Sequence, residues 1–424
     1  MSHCAVVGIN WGDEGKGRMV DLIAKEYDIV CRYQGGNNAG HTVINEYGKF
    51  ALHLIPSGIF LQGVVNVLGS GVVIDPESLW NEIDGLQKAG IAITPENFKI
   101  SDRATIVFPY HRLLDGLEEA RLKDKKYGST LRGIAPTYSD KYQKKTVMMG
   151  ELRRPDLLEQ RLAGILEWKN LTLQNVYGAE PMELSALMDW CRTYGEKLLP
   201  FLCDTTRYLY DAEKAGKSIM FEAQLGALRD IDFGIFPYTS SSSSLAGYAC
   251  IGAGIPGSHV ERTVGIVKAY STCVGEGPFT VEWFGEEAEK LREVGGEYGA
   301  ATGRPRRVGP LDLVATRYGV RIQGATECAL TKMDILSYMD EIPVCVQYEL
   351  FGERTDDFPF PSVVSEAKPV YVTLPGWKCD ISGVRRYEDL PEAARNYVEF
   401  VEKAIGCPIS YVSVGASRDE IIRR

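Results

Sequence analysis

Two glycine-bearing stretches near the N-terminus hold residues suited to handling phosphate. The first is Gly12-Asp13-Glu14-Gly15-Lys16-Gly17, and the second is Gly35-Gly36-Asn37-Asn38-Ala39-Gly40-His41-Thr42. Together they bring a pair of carboxylates, a lysine, two amides and a histidine. A glycine-rich turn between a strand and a helix aims backbone N–H groups and a helix dipole at one point, and an anion fits there. Lys16 adds a cation at the helix start. The first stretch is not a Walker A motif. Six residues separate Gly8 from Gly15 where that motif has four, and Gly17 follows Lys16 where it has Ser or Thr. Two other readings stay open at this level: a tight turn built on glycine dihedrals, and Asp13 and Glu14 as caps of the following helix.

Three later stretches add chemistry. Residues 127–145 (YGSTLRGIAPTYSDKYQKK) read as a polar loop, either a solvated connection or a binding segment in which Ser129, Thr130 and Arg132 donate to a phosphate. Residues 299–307 (GAATGRPRR) crowd Arg304, Arg306 and Arg307 beside glycines. They make either a basic surface turn or a clamp for a dicarboxylate, since guanidinium forks match carboxylates bidentately. Thr331-Lys332-Met333-Asp334 closes an apolar run. His53 and His111 read as structural.

The elements that must position these residues follow from apolar patterning. Residues 5–9 form a buried strand and residues 19–23 begin a helix. Residues 64–74 read as strand, glycine turn and second apolar run, 76–89 as a helix with proline in its first turn, 100–108 as strand and 111–125 as a charged amphipathic helix. This alternation predicts an α/β fold with a largely parallel sheet. Residues 151–217 are helical by pattern, with long segments at 157–168 and 181–210, and read as a helical subdomain. The serine run 240–244, between Tyr238 and Leu245, reads as a short ordered loop. Helix 391–405 and a last strand at 409–414 close the chain.

Composition narrows the function classes. The chain has 424 residues and a net charge of −10, and the acidic balance argues against nucleic-acid binding. No apolar run reaches the ~18–20 residues of a membrane span, and the N-terminus lacks the basic region of a signal peptide. The ten scattered cysteines suggest reduced thiols in a cytoplasm. The five histidines form no structural zinc pattern.

Taken together, the two loops WGDEGKG and GGNNAGHT resemble the signatures of adenylosuccinate synthetases, and the resemblance runs from Val6 to Arg418. STLRGIAPTYSDK resembles the family's monophosphate-contacting stretch, with Leu131 and Ala135 where the family has glycines. FEAQLG and the serine run are similar to FEGAQG and TSSNTT, with Gln224 one position early. STCVGEGPF resembles STRVGxGPF, with Cys273 at an arginine position. GAATGRPRR resembles the aspartate loop, TKMD the guanine-reading element of GTP-binding proteins, and SVGASR the turn that packs on guanine.

The resemblance implies one large domain spanning residues 1–424, of P-loop-NTPase-like α/β architecture, and the reaction IMP + L-aspartate + GTP → adenylosuccinate + GDP + phosphate. It implies Asp13, His41 and Lys16 as catalytic residues. GTP would meet Gly12, Gly15, Lys16, Gly17, Gly40, His41, Thr42, Lys332, Asp334, Ser413 and Gly415. IMP would meet Asp13, Asn38, Thr130, Lys144, Gln224, Thr239 and Arg304, and aspartate would meet Thr302, Arg304 and Arg306. One Mg²⁺ per subunit would sit on Asp13 and Gly40, in a cytoplasmic homodimer whose second subunit reaches the IMP phosphate. At that trans position the family's arginine falls on Lys144, so weaker IMP binding is expected. Two alternatives remain: a sister enzyme using another 6-oxopurine nucleotide such as dGMP, and a GTP-binding regulatory protein without turnover.

Overall fold

The computed structural model describes residues 3–38, 40–45, 47–299, 303 and 305–424. Ten strands form its central sheet. In chain order they are β1 (Cys4–Gly8), β2 (Ile29–Arg32), β3 (Val65–Leu68), β4 (Phe98–Ser101), β5 (Leu202–Cys203), β6 (Ile219–Glu222), β7 (Arg262–Lys268), β8 (Glu327–Thr331), β9 (Ile409–Ser413) and β10 (Ile421–Arg423). Across the sheet they run β10-β9-β8-β7-β1-β6-β2-β3-β4-β5. Every neighbouring pair is parallel except β9–β10. The expected α/β fold with a mostly parallel sheet is what the chain adopts.

A sheet covered on both faces needs strands that are apolar on both sides, which is why β1 reads as an unbroken apolar run. Ala5 and Val7 pack with Ile29, Cys31, Ile219 and Phe221 on one face. Cys4 and Val6 pack on the other face with Met19, Val20 and Ile23 of helix α1 (Lys16–Ile23). The loops that follow β1, β2, β6, β7, β8 and β9 leave the same edge of the sheet, because these strands are parallel. In an open α/β sheet that edge is where ligands bind.

Three expectations are corrected. The polar stretch 127–145 is not all loop: Ile134–Gln143 is a helix. Pro136 in its first turn needs no hydrogen-bond donor, and Ile134, Thr137 and Tyr138 bury one face at helical spacing. Residues 181–210 do not form one helix. Leu184–Trp190 passes through a wide turn to Pro200 and then to the edge strand β5, before Thr205–Lys214 resumes as helix. The strand at 409–413 is not the last, because β10 turns back antiparallel to it. The helical stretch shares its core with the sheet: Leu158, Leu162 and Leu187 belong to one apolar cluster with Phe98 and Ile100 of β4.

Candidate active site

The loop after β1 is pinned from inside. At Gly8 an added Cβ would lie 2.4 Å from the Leu225 carbonyl oxygen and 2.6 Å from Glu14 Oε2, so only glycine fits. Glu14 is 2% exposed. Its Oε1 accepts from the backbone N–H of Asn10 at 3.1 Å and of Gly12 at 2.7 Å, and its Oε2 holds Lys16 Nζ at 2.7 Å. Glu14 is therefore the strut of the loop, and Lys16 is buried against it. Gly15 occupies the N-cap of α1, with no side-chain cap among the described residues, so neither carboxylate caps the helix. Asp13 takes a left-handed φ of 58° and turns outward, where its Oδ2 lies 3.1 Å from Arg306 Nε.

His41 begins the hairpin strand His41–Asn45 and packs against α1. A Cβ on Gly17 would lie 2.8 Å from His41 Cβ. Its Nδ1 is 2.5 Å from Oε1 of Glu222 at the end of β6. Glu222 is fully buried and also accepts from the Ser57 N–H and hydroxyl, each at 2.7 Å. Burial lowers the His41 pKa, and the Glu222 contact offsets only part of that. Burial would raise Glu222, but His41, Arg32 and Ser57 outweigh it and leave its pKa low. A neutral imidazole beside an ionised carboxylate carries its proton on Nδ1, so Nε2 is left bare. Nε2 is buried and has no partner among the described residues. On taking a proton it would become a donor, with Glu222 stabilising the cation. The sequence reading missed Glu222, because no spacing rule connects it to a histidine in another loop.

The opposite end of the site lies after β8 and β9. Thr331 Oγ1 donates to the Glu14 carbonyl at 2.8 Å, joining the TKMD element to the glycine–lysine loop. Lys332 has a φ of 61°, and its Nζ donates to the Gly295 carbonyl and to Glu297 Oε1, each at 2.7 Å. Asp334 Oδ1 is buried with no partner among the described residues. Burial raises the pKa of this carboxyl. Arg18 of α1 donates to Ser413 Oγ at 2.7 Å and to the Gly415 and Ser417 carbonyls. Arg418 pairs bidentately with Asp21 at 2.8 and 2.7 Å. One helix thus carries the phosphate loop at its start and the 413–418 turn on its side.

Thr302 and Arg304 lie outside the described residues. Arg306 donates to Glu297 Oε2 at 2.7 Å besides facing Asp13. Arg307 is a strut, held by Glu282 at 2.9 Å and by the Gly277 carbonyl at 2.7 Å. Of the remaining positions, Asn38 is half-buried and accepts from the Gly36 N–H at 3.2 Å. Thr239 is half-buried, and Thr42, Thr130 and Lys144 are exposed. Gln224 is fully buried and spends its Nε2 on the Gly36 carbonyl at 2.9 Å, so it backs the second loop from below. Cys273 lies under Arg229, whose Nη2 is 3.0 Å from its sulfur and which also donates to the Val274 and Tyr238 carbonyls. The Arg229 guanidinium is thus set directly against the Cys273 side chain. The serine run is ordered. Ser242 donates to Gln34 at 2.8 Å, Ser243 donates to Asp230 at 3.0 Å, and the Ser244 N–H donates to Asp230 at 2.7 Å.

The Asp13 carboxylate and the exposed Gly40 backbone offer hard oxygen donors of the kind Mg²⁺ takes. Among the described residues no group of three or more His, Cys, Asp or Glu could hold a metal ion.

The sequence matches the adenylosuccinate synthetase family over residues 5–422. The chain belongs to that family. It is 46% identical over 425 residues to the adenylosuccinate synthetase of Halothermothrix orenii, covering 100% of this chain and 99% of the relative. It is 45% identical to that of Dehalococcoides mccartyi, with both chains fully covered. The fully ligated adenylosuccinate synthetase of Plasmodium falciparum superposes with a TM-score of 0.93 at 34% identity, with 100% of both chains covered. The cyanophage S-2L succinoaminodeoxyadenylate synthetase bound to dGMP and dATP superposes at 0.63, with 18% identity and 100% and 95% coverage, a likeness of fold alone. As an adenylosuccinate synthetase family member the chain is a GTP-dependent ligase of purine biosynthesis, joining IMP to aspartate. Among the described residues no helix is long and apolar enough to cross a membrane.

Proposed function

We propose that this chain makes adenylosuccinate through 6-phosphoryl-IMP, with Asp13, His41 and Lys16 as its catalytic residues. The 6-oxygen of IMP is a poor leaving group and has to be activated. Asp13 takes the N1 proton, a general-base role that requires direct hydrogen-bond reach. The 6-oxygen then attacks the γ-phosphorus and GDP departs. His41, protonated at Nε2 over Glu222, donates to the transferring phosphoryl group and then to the phosphate that the aspartate amine displaces. Lys16 stabilises negative charge at the same centre. Magnesium, one per subunit, held by Asp13 and the Gly40 carbonyl, would supply charge neutralisation on the phosphates.

In this reading Asp334 and Lys332 read the guanine, Ser413 and Gly415 pack on it, and Gly12, Gly15, Gly17 and Thr42 line the phosphates. Asn38, Thr130, Thr239 and Arg304 bind IMP, while Gln224 acts from beneath by holding Gly36. Thr302, Arg304 and Arg306 take the aspartate carboxylates. The enzyme works in the cytoplasm as a homodimer, with Lys144 reaching the IMP phosphate of the second subunit. The observation that supports the reading is the His41–Glu222 pair set against Gly17 of the glycine–lysine loop, since an imidazole backed by a buried carboxylate can take up a proton at Nε2 and pass it on.

The test is phosphate release with Mg²⁺, GTP and aspartate, run with IMP and in parallel with dGMP, and with ATP replacing GTP. Release that needs IMP, GTP and aspartate together is expected. Asp13→Asn should lower kcat by roughly 10²–10⁴-fold while GTP still binds. Release with dGMP alone, or none with any set, would overturn the reading.

A further inference from the structure

Glu297 is fully buried and takes no part in the chemistry described above. Four donors from three stretches of the chain converge on its carboxylate. Oε1 receives Lys268 Nζ from the end of β7 at 3.0 Å, Tyr270 Oη at 2.5 Å and Lys332 Nζ at 2.7 Å. Oε2 receives Arg306 Nη1 at 2.7 Å. The Arg306 N–H also donates to the Glu297 carbonyl at 2.9 Å, so backbone and side chain together tie Arg306 to Glu297. Arg306 continues to Asp13 at 3.1 Å.

Resting on the proposed function, we infer that Glu297 is a positioning residue that couples the guanine-reading element to the aspartate loop. One carboxylate fixes Lys332 on the nucleotide side and Arg306 on the dicarboxylate side. A shift of Lys332 when the base engages Asp334 is passed through Glu297 to Arg306, and from there to Asp13. A surface loop tied to neither side would respond to its own ligand only. Here the tie is short, buried and charge-assisted, with three cations and one phenol sharing one acid. Burial and the neighbouring cations Lys332 and Arg306 push the Lys268 ammonium down to about 8, against the pull of Glu297. Glu297 is the carboxylate that all three cations share.

The experiment measures the KM for aspartate at low and at saturating GTP, in the unaltered enzyme and in Glu297→Gln. In the unaltered enzyme saturating GTP is expected to lower the aspartate KM several-fold. In Glu297→Gln that dependence should vanish and the aspartate KM should rise about tenfold, with kcat changing less. Tyr270→Phe keeps the shape and removes one hydrogen bond from the same oxygen. It should give a smaller change in the same direction, and it serves if the glutamine variant does not fold. Variants that lose thermal stability but keep both the aspartate KM and its GTP dependence would make Glu297 merely structural and overturn the inference. An unaltered enzyme that releases no phosphate with IMP, GTP and aspartate would instead overturn the proposed function, so the two failures are distinct.

Discussion

At Asp334 one carboxylate oxygen is shut away from solvent with no donor beside it among the described residues. Leaving such an acceptor unpaired costs about 1–3 kcal/mol, and guanine N1–H and N2–H₂ would remove that cost. Asp334→Asn places an amide where the acceptor stood, so the KM for GTP should rise about 10–100-fold with kcat at saturation nearly kept. Initial rates over a GTP series decide it, and an unchanged KM removes Asp334 from the base site. Glu222 acts at the same scale. Its carboxylate allows His41 to carry a second proton inside the protein, so Glu222→Gln should lower kcat roughly 10–100-fold without a matching rise in the GTP KM. A kcat equal to that of the unaltered enzyme would separate Glu222 from the histidine's work.

Helix α1 is where the site's elements meet. Its first turn carries Lys16, its side carries Arg18 and Asp21 into the 413–418 turn, and its apolar face packs on β1. Gly17 sets how closely it approaches the second loop. A methyl group there would stand 2.8 Å from His41 Cβ and 3.2 Å from Ser57 Oγ. Overpacking of this kind costs about 1–3 kcal/mol. Gly17→Ala should therefore lower the thermal midpoint and, by displacing His41 from Glu222, reduce kcat as well. A variant that loses stability and keeps full kcat would show that the histidine loop moves with the helix.

Over the whole molecule, buried ionisable pairs set the response to acid. Burial holds both His41 and His111 below the ordinary histidine value of 6.5, the latter against Asp140 at 2.8 Å. Between that value and the depressed folded one, the unfolded chain binds more protons than the folded chain, so stability rises with pH in that window and falls as pH drops below about 6.5. Glu222 adds loss at still lower pH, because its folded pKa is depressed and protonation is favoured by unfolding. Urea midpoints measured from pH 7.5 down to 5 should fall, and His111→Phe should flatten the upper part of that slope. A flat profile would mean that these histidines are charged in the folded chain.

The sequence alone was enough for the strand–turn–helix around Lys16, for the parallel character of the sheet, and for the kinds of side chain at its working edge. These depend on apolar period, glycine and proline placement and short motifs, all of which act within a few residues. It was not enough for helix Ile134–Gln143, whose polar residues hid a narrow buried face. Nor was it enough for the break at Pro200, where the chain leaves a helical pattern for an edge strand. Only the tertiary structure decided that Glu222 faces His41, that Glu297 gathers Lys268, Tyr270, Lys332 and Arg306, that Arg229 stands against Cys273, and that Gln224 turns inward. Apart from Arg306 and Glu297, nine residues apart, the partners in these contacts lie at least 27 residues apart in the chain. Their meeting depends on strand order and on the packing of both faces of the sheet, which no local pattern encodes.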